Sequence, residues 1–271
     1  MPSENAPLDS WAGGDSYEAY VGRWSRQVAR RFVSRLGVAD DGRWLDVGCG
    51  TGALTSAVLE LCSPAAVVGV DPSPGFLARA AATIADPRAG FQQGDALHLP
   101  DTAAFDAVVS GLVLNFVPDG PGALAAMRRA GRPGAVIASY VWDYAEGMQV
   151  IRHFWDAATA CDPAATGLDE GARFPICRPG PLRDLFTGAG LADVVVEPIE
   201  LPTVFRDFDD FWTPFLGGTG PAPAYAASLS SARLSALRDE VRAHLPIGSD
   251  GRIPLTARAW SARGSVPHPR S

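Results

Sequence analysis

The sequence predicts a doubly wound α/β fold, in which helices cover both faces of a mostly parallel sheet and helical insertions cap it. Between residues 43 and 141, five short apolar segments alternate with segments of helical periodicity, the pattern of successive βαβ units. The segment 66–70, AVVGV, is apolar throughout, as in a strand buried on both faces. Ligands bind at the carboxyl ends of the strands in sheets of this kind.

The first half of the chain contains five predicted strands and three predicted helices. Apolar residues recur at helical spacing in 51–61, and the alanine-rich segment 73–84 stops at an Asp-Pro pair. In chain order we predict strand 43–47, helix 51–61, strand 66–70, helix 73–84, strand 91–93, strand 105–110, helix 122–130 and strand 135–141.

The second half is less regular. We predict a mostly helical, aromatic-rich segment at 143–172, a helix at 181–189, a strand at 192–197, a helix at 228–245 and a final, more exposed strand at 253–262. The two irregular segments of this half are short and interrupted, so we expect them to form caps on a single domain. Its parts would be an N-terminal helix or lid (1–43), a binding core (44–141), caps (142–191 and 199–250) and the last strand (251–263).

Composition excludes several classes of function. All 23 basic residues are arginine, and the formal net charge is −7. A chain without lysine cannot form a lysine Schiff base or a Walker-A phosphate site. The acidic balance also argues against a general nucleic-acid binder, which needs clustered positive charge.

Targeting signals, membrane spans, disulfides and metal sites are all unexpected. Residues 1–15 are polar, and no window approaches the ~18 apolar residues of a membrane span. Four cysteines without a CxxC pair favour a reduced, cytoplasmic compartment. The four histidines have no zinc-ligand spacing.

A glycine-rich turn is the strongest local signal. Asp46, Gly48, Gly50 and Gly52 lie between the first strand and the first helix of the core. Glycine lets a ligand approach the backbone closely, and the helix that follows presents free N–H groups to an anionic group. The alternative is a tight turn without a ligand.

Two further carboxylates follow neighbouring strands. Asp71 can accept hydrogen bonds from the hydroxyls of a ribose. Asp95 can accept from the amine of adenine, with the Ala96 N–H facing a ring nitrogen. Each could instead only cap a turn. With Asp46 they place carboxylates at three neighbouring strand ends, and this coincidence favours a nucleoside ligand.

Two cofactor classes are compatible with this pattern. Gly48, Gly50 and Ala53 also fit the dinucleotide-binding motif G-x-G-x-x-G/A, with Asp71 as its acidic partner. Asp46 argues against that interpretation, because the strand before a dinucleotide turn is usually apolar to its end. A carboxylate there suits a ligand that carries positive charge.

Five motifs resemble those of class I S-adenosylmethionine (SAM)-dependent methyltransferases, in the small-molecule group that includes the ubiquinone/menaquinone-type enzymes. They cover about 44–141 and read LDVGCGTG (45–52), GVDPSPGFL (69–77), GDALHLP (94–100), FDAVVSGLVLNFVPD (105–119) and GRPGA (131–135). The segments 17–25 and 253–262 also resemble one bacterial subgroup. One departure is Ala130-Gly131, where many relatives have a leucine before the Arg-Pro-Gly turn.

The resemblance implies a Rossmann-like sheet of seven strands with the last antiparallel, SAM as cofactor and a small organic methyl acceptor. The methionine moiety would be held by Asp46, Gly48, Cys49, Gly50 and Gly52. The nucleoside would be held by Asp71, Pro72, Phe76, Leu77, Gly94, Asp95 and Ala96. The reaction chamber would be lined by Ser110, Gly111, Leu112 and Phe116.

Other candidate residues lie outside these motifs. His153 is a candidate general base because histidine titrates near neutrality; its alternative is a surface or cap-helix histidine. We expect Asp143 and Glu146 to be solvated or paired with Arg152. Tyr20 or Arg23 could reach the methionyl carboxylate from a lid, or belong to a helix that only packs on the sheet.

Two alternative functions remain at this stage. One is an NAD(P)-dependent oxidoreductase, and the other is a SAM-binding regulator without catalysis. We expect a small-molecule partner, no nucleic acid, no membrane, and a monomer or homodimer.

Overall fold

The computed structural model describes residues 22–100, 103–217 and 220–269, which form two compact units. The first unit contains Ser25–Trp142, Ile176–Ile199 and the chain from Ala259 onward. The second contains Trp24, Asp143–Pro175 and Glu200–Arg258. The single-domain organisation with caps stays a prediction. Among the described helices, none has the length and apolar character needed to cross a membrane.

The chain forms a seven-stranded sheet with strand order 3-2-1-4-5-7-6, and its first five strands in chain order lie in the first unit. Strands β1 to β5 are parallel, and β7 pairs antiparallel with β5, which confirms the predicted fold class. The order reverses between β1 and β4, the kind of position where α/β sheets bind ligands. The strands are β1 (Arg43–Val47), β2 (Ala66–Asp71), β3 (Ala89–Gln93), β4 (Phe105–Gly111), β5 (Gly131–Trp142), β6 (Ala192–Phe205) and β7 (Ile253–Ser265).

Ten helices are assigned in the described part of the chain. Ser73 and Asp119 cap two of them by accepting hydrogen bonds from the N–H groups of Phe76 and Gly122. The helices are α1 (Arg23–Val33), α2 (Ala53–Leu61), α3 (Pro74–Thr83), α4 (Gly120–Ala130), α5 (Gln149–Cys161), α6 (Glu170–Arg173), α7 (Pro179–Gly188), α8 (Phe208–Trp212), α9 (Pro221–Ser228) and α10 (Ser231–His244).

Two predictions about the C-terminal strands were wrong. Strand β6 does not end at 197 but continues to Phe205, with Ile199, Leu201 and Thr203 buried on alternate positions. Strand β7 is not a more exposed strand, because it lies between β5 and β6 in the sheet and buries Ile253, Leu255 and Ala257 on alternate positions. The proline at 198 and the charges around it concealed the continuing alternation of β6.

The second unit contains a core of stacked aromatic rings. Phe154 lies 4.6 Å from Phe215 between ring centroids and also contacts Trp155, Trp212 and Tyr225. These side chains are buried. Their packing is that of an ordinary hydrophobic core.

Charged residues at the start of this unit pair differently from the prediction. Asp143 and Glu146 both contact the guanidinium of Arg258, so the pairing with Arg152 was wrong. Arg152 instead binds carboxylates on its own helix and just before α6, Asp156 and Asp169. The Asp143–Arg258 pair is a long-range contact, which local spacing cannot predict.

Candidate functional site

The glycine turn folds back onto the end of strand β2. The N–H groups of Gly48 and Cys49 both donate to the carbonyl oxygen of Val70, at 2.7 and 3.1 Å. All three glycines of the turn adopt positive φ values, +71° at Gly48, +53° at Gly50 and +90° at Gly52. L-residues with side chains are strained in this region, so the backbone shape of the turn depends on glycine.

The three glycines differ in what surrounds them. A Cβ at Gly48 would lie 2.6 Å from Val113, and one at Gly52 would lie 2.4 Å from Ile84. A Cβ at Gly50 would meet nothing within 4 Å. The outer glycines therefore permit close packing within the protein, whereas Gly50 faces open space that a ligand can enter.

Asp71 connects the turn to the end of β2. Its carboxylate accepts from the N–H groups of Gly50, at 2.9 Å, and Ser73, at 2.8 Å. A carboxylate has about four lone-pair positions, so both oxygens keep capacity for further donors. Asp71 therefore stabilises the turn, as the turn-capping alternative predicted. Its carboxylate can still accept hydrogen bonds from a ligand.

Asp46 lies beneath the turn and is fully buried. Its Oδ2 accepts a 2.7 Å hydrogen bond from the hydroxyl of Thr55 on α2, a contact that was not predicted. Its Oδ1 has no hydrogen-bond partner among the described residues. Burial raises the pKa of this carboxyl to about 7, against the opposing effect of the Thr55 hydrogen bond.

We expect the Asp46 carboxyl to make the unliganded protein less stable as pH rises from about 4 to 7. In this range the folded state binds more protons than the unfolded state, whose carboxyl titrates near 3.8. The free energy of unfolding therefore falls with rising pH, by an amount on the order of a few kcal/mol. Urea unfolding of wild type and Asp46→Asn measures this contribution as a difference between the two proteins.

The asparagine variant should equal wild type near pH 4 and exceed it in stability at pH 8. Other carboxyls affect both proteins equally, including Glu170, whose pKa burial also raises to about 7. A stability difference that does not change with pH would show that Asp46 does not titrate in this range.

A pocket of about 310 Å³ opens at these strand ends. Six of its lining residues were predicted site residues, namely Gly48, Pro72, Gly94, Asp95, Ala96 and Phe116. Five apolar residues were missed, namely Val70, Leu97, Val113, Val117 and Pro118. Four of them directly neighbour a strand end or a predicted site residue in the chain, which was the available signal, whereas Pro118 lies two residues after Phe116.

Asp95 caps the turn that follows β3. Its Oδ1 accepts from the N–H groups of Leu97 and His98, and the carboxylate lies 3.0 Å from His98 Nδ1. The His98 hydrogen bond holds the pKa of Asp95 below its ordinary value. Asp95 also lines the pocket, so its contact with adenine stays a prediction.

The residues at the end of β4 have structural contacts. The hydroxyl of Ser110 is buried and donates to the carbonyl oxygen of Val47 at 2.8 Å, so its side chain ties β4 to β1 instead of lining a chamber. A Cβ at Gly111 would lie 2.6 Å from the Tyr140 hydroxyl oxygen. Leu112 has a φ of +62°, and its N–H donates to the Tyr140 carbonyl.

The predicted cofactor contacts that do not line the pocket include Phe76, Leu77 and Cys49. Phe76 and Leu77 are half-buried on α3. Cys49 is buried in the turn, and burial raises the pKa of its thiol, so the thiol is inert at neutral pH. Its backbone N–H, rather than its side chain, contributes to the turn.

The remaining candidates lie elsewhere. His153 is half-buried on α5 in the second unit, and burial lowers its pKa from the ordinary value. Its role as a base stays a prediction. Tyr20 and the side chain of Arg23 lie outside the described residues. Among the residues that are described, no cluster of metal ligands occurs.

Comparison with known proteins gives consistent similarities. A family model described as a methyltransferase domain matches residues 45–139. Trans-aconitate 2-methyltransferase of Deinococcus radiodurans is 33% identical over 172 residues, which are 58% of this chain and 63% of that protein. The chain therefore spans less than two thirds of that relative's length.

Two further proteins extend the comparison. Demethylmenaquinone methyltransferase of Roseiflexus castenholzii is 33% identical over 176 residues, 59% of this chain and 72% of that protein. The solved structure of Haemonchus contortus phosphoethanolamine N-methyltransferase 2 with S-adenosyl-L-methionine is similar with a TM-score of 0.60 at 17% identity. That similarity covers 96% of this chain and 58% of the solved chain, and it concerns the fold.

Proposed function

Because the chain belongs to the class I SAM-dependent methyltransferases, we propose that it transfers a methyl group to a small organic molecule. The observation that carries this proposal is the open space in front of Gly50 at the end of β1. Asp71 holds the Gly50 N–H beside that space. An adjoining apolar pocket follows β2, β3 and β4.

The residues at these strand ends fit SAM. The ligand carries an ammonium and a sulfonium, and the buried Oδ1 of Asp46 lacks a partner within the described chain. The ribose needs a hydroxyl acceptor, and Asp71 keeps free lone pairs. The adenine needs an apolar slot, which Pro72, Val113 and Phe116 help to line.

The residues of the chain act mainly by positioning. When bound, SAM would supply a methyl group on a sulfonium, and its transfer to the lone pair of an acceptor would leave the bonding electron pair on sulfur in S-adenosylhomocysteine. Holding donor and acceptor in line can contribute about 7–11 kcal/mol to lowering the barrier. A hydroxyl acceptor would need a base to take its proton, and the role of His153 as that base stays a prediction.

Calorimetry with the full chain tests the cofactor. We expect saturable binding of SAM and of S-adenosylhomocysteine, and no binding of NAD or NADP. Binding of a nicotinamide dinucleotide without SAM binding would instead support the oxidoreductase. Release of S-adenosylhomocysteine with a broad panel of small organic acceptors then separates the enzyme from a regulator, which would bind SAM but release no S-adenosylhomocysteine.

A further inference from the structure

One buried carboxyl group takes no part in the proposed cofactor site. Glu170 on α6 is 2% exposed and lies in the second unit. The indole N–H of Trp155 on α5 donates a hydrogen bond to its Oε2, and Trp155 is itself fully buried. An ionised carboxylate in such surroundings is destabilising unless a charge pairs with it, whereas a protonated carboxyl is neutral and tolerated.

The charged groups around Glu170 do not offset a negative charge on it. Arg152 on α5 binds two other carboxylates, those of Asp156 and Asp169. Asp169 directly precedes Glu170, and its repulsion exceeds the attraction from Arg173 on the same helix. Burial, and to a lesser degree Asp169, raises the pKa of Glu170 to about 7 against the opposing effect of the Trp155 hydrogen bond.

Two further elements of the described chain pack against this part of the second unit, and neither supplies a cation. The 3₁₀ segment Pro163–Leu168, which precedes α6, contains no titratable side chain. Helix α9 supplies the phenol of Tyr225, whose ring lies 5.5 Å from that of Trp155 between centroids. Within the described residues, the charge of an ionised Glu170 would therefore meet mainly a neutral indole donor and aromatic carbon.

We propose that Glu170 is a pH-sensitive switch in the second unit: its protonated form holds α6 against α5, and loss of the proton releases α6 into water. The proton passes to the solvent, and the released carboxylate becomes hydrated. The contact between Glu170 and Trp155 spans 15 residues and joins two helices, so its loss affects more than a local turn. This inference is independent of the proposed methyltransferase function.

The size of the expected effect follows from the two states of the carboxyl. In the released segment the pKa of Glu170 would lie near its ordinary value of 4.5, compared with about 7 in the closed form. The closed form therefore binds more protons, and rising pH favours the released form. Between pH 6 and pH 8, release should become about tenfold more favourable.

Hydrogen exchange of the full chain measures this release. The N–H groups of Ala172, Arg173 and Phe174 donate to the carbonyl oxygens of Asp169 and Glu170, and they exchange with solvent when α6 opens. After correction for the intrinsic exchange rate at each pH, the protection of these amides should fall about tenfold between pH 6 and pH 8. Protection that is the same at both pH values would overturn the proposal.

Glu170→Gln removes the titrating group and keeps an acceptor for the indole of Trp155. The α6 amides of this variant should have the same protection at pH 6 and pH 8. Glu146→Gln is the matched control, because Glu146 is an exposed glutamate of the same unit, and this variant should keep the tenfold fall. An equal fall in wild type and in Glu170→Gln would assign the effect to another group and refute the switch.

A measurement on the wild-type chain does not depend on whether the glutamine variant folds. With ¹⁵N-tryptophan, the indole N–H signal of Trp155 reports its hydrogen bond to Glu170. We expect this signal to move with a midpoint near pH 7. The movement should persist in Asp46→Asn, which removes another carboxyl whose pKa is about 7. A signal that stays constant from pH 5 to pH 9, or one that moves only while Asp46 is present, contradicts the proposal.

Discussion

Gly50→Val should abolish SAM binding while the protein still folds. The valine side chain would project into the open space in front of the turn, where no protein atom lies within 4 Å of a Cβ. It would also strain a backbone position with a φ of +53°. Because SAM could no longer approach the backbone of the turn closely, its binding should weaken by about a hundredfold or more. Calorimetry measures this loss.

A second glycine of this chain provides a control for the effect of backbone strain alone. Gly37 has a φ of +65°, and a Cβ at this position would also meet nothing within 4 Å, but Gly37 lies in the connection between α1 and β1. Gly37→Val should lose about 1–3 kcal/mol of stability, as Gly50→Val should, and bind SAM normally. Normal SAM affinity in Gly50→Val would refute the assignment of this space to the cofactor.

The second large effect is expected for Asp71→Ala. The variant loses the acceptor for the Gly50 and Ser73 N–H groups and the lone pairs assigned to the ribose hydroxyls. Hydrogen bonds to a charged group contribute about 1.5–3 kcal/mol each. We therefore expect SAM affinity to fall by roughly ten- to a hundredfold, with a smaller loss of stability from the loosened turn.

Asp86→Ala is the control for removing a carboxylate that accepts from backbone. Asp86 accepts from the Arg88 N–H at 2.9 Å, and it precedes the amino end of β3, whereas Asp71 lies at the carboxyl end of β2. This variant should bind SAM like wild type. Adenosine binding separates the two roles of Asp71, because adenosine keeps the ribose but lacks the methionine moiety. If Asp71→Ala binds SAM as tightly as wild type, the ribose assignment is wrong.

Local sequence pattern was sufficient for the core of the fold. Strand β1 was predicted at its observed bounds, and the turn after it was identified from the spacing of its glycines. Periodicity and turn chemistry depend on neighbouring residues in the chain, so they can be read directly. The antiparallel direction of the last strand was expected only through the resemblance to a family.

Long-range contacts could not be predicted from local sequence pattern. Ser110 was assigned to a chamber, but its hydroxyl bonds to Val47, 63 residues away in sequence. Asp143 pairs with Arg258 across 115 residues. Spacing along the chain carries no information about such pairs, because many arginines could reach a given carboxylate in an unknown fold.

The sequence by itself determined the order of strands and helices in the core, the glycine turn and the carboxylates that follow neighbouring strands. Only the tertiary structure decided which of these groups are already bonded and which face open space. Gly48 and Gly52 cannot be told from Gly50 by residue type, and they differ only in their packing against Val113 and Ile84. The physical reason is that a backbone conformation is a local property, whereas free volume and unpaired hydrogen-bond capacity depend on what distant segments bring to the same place.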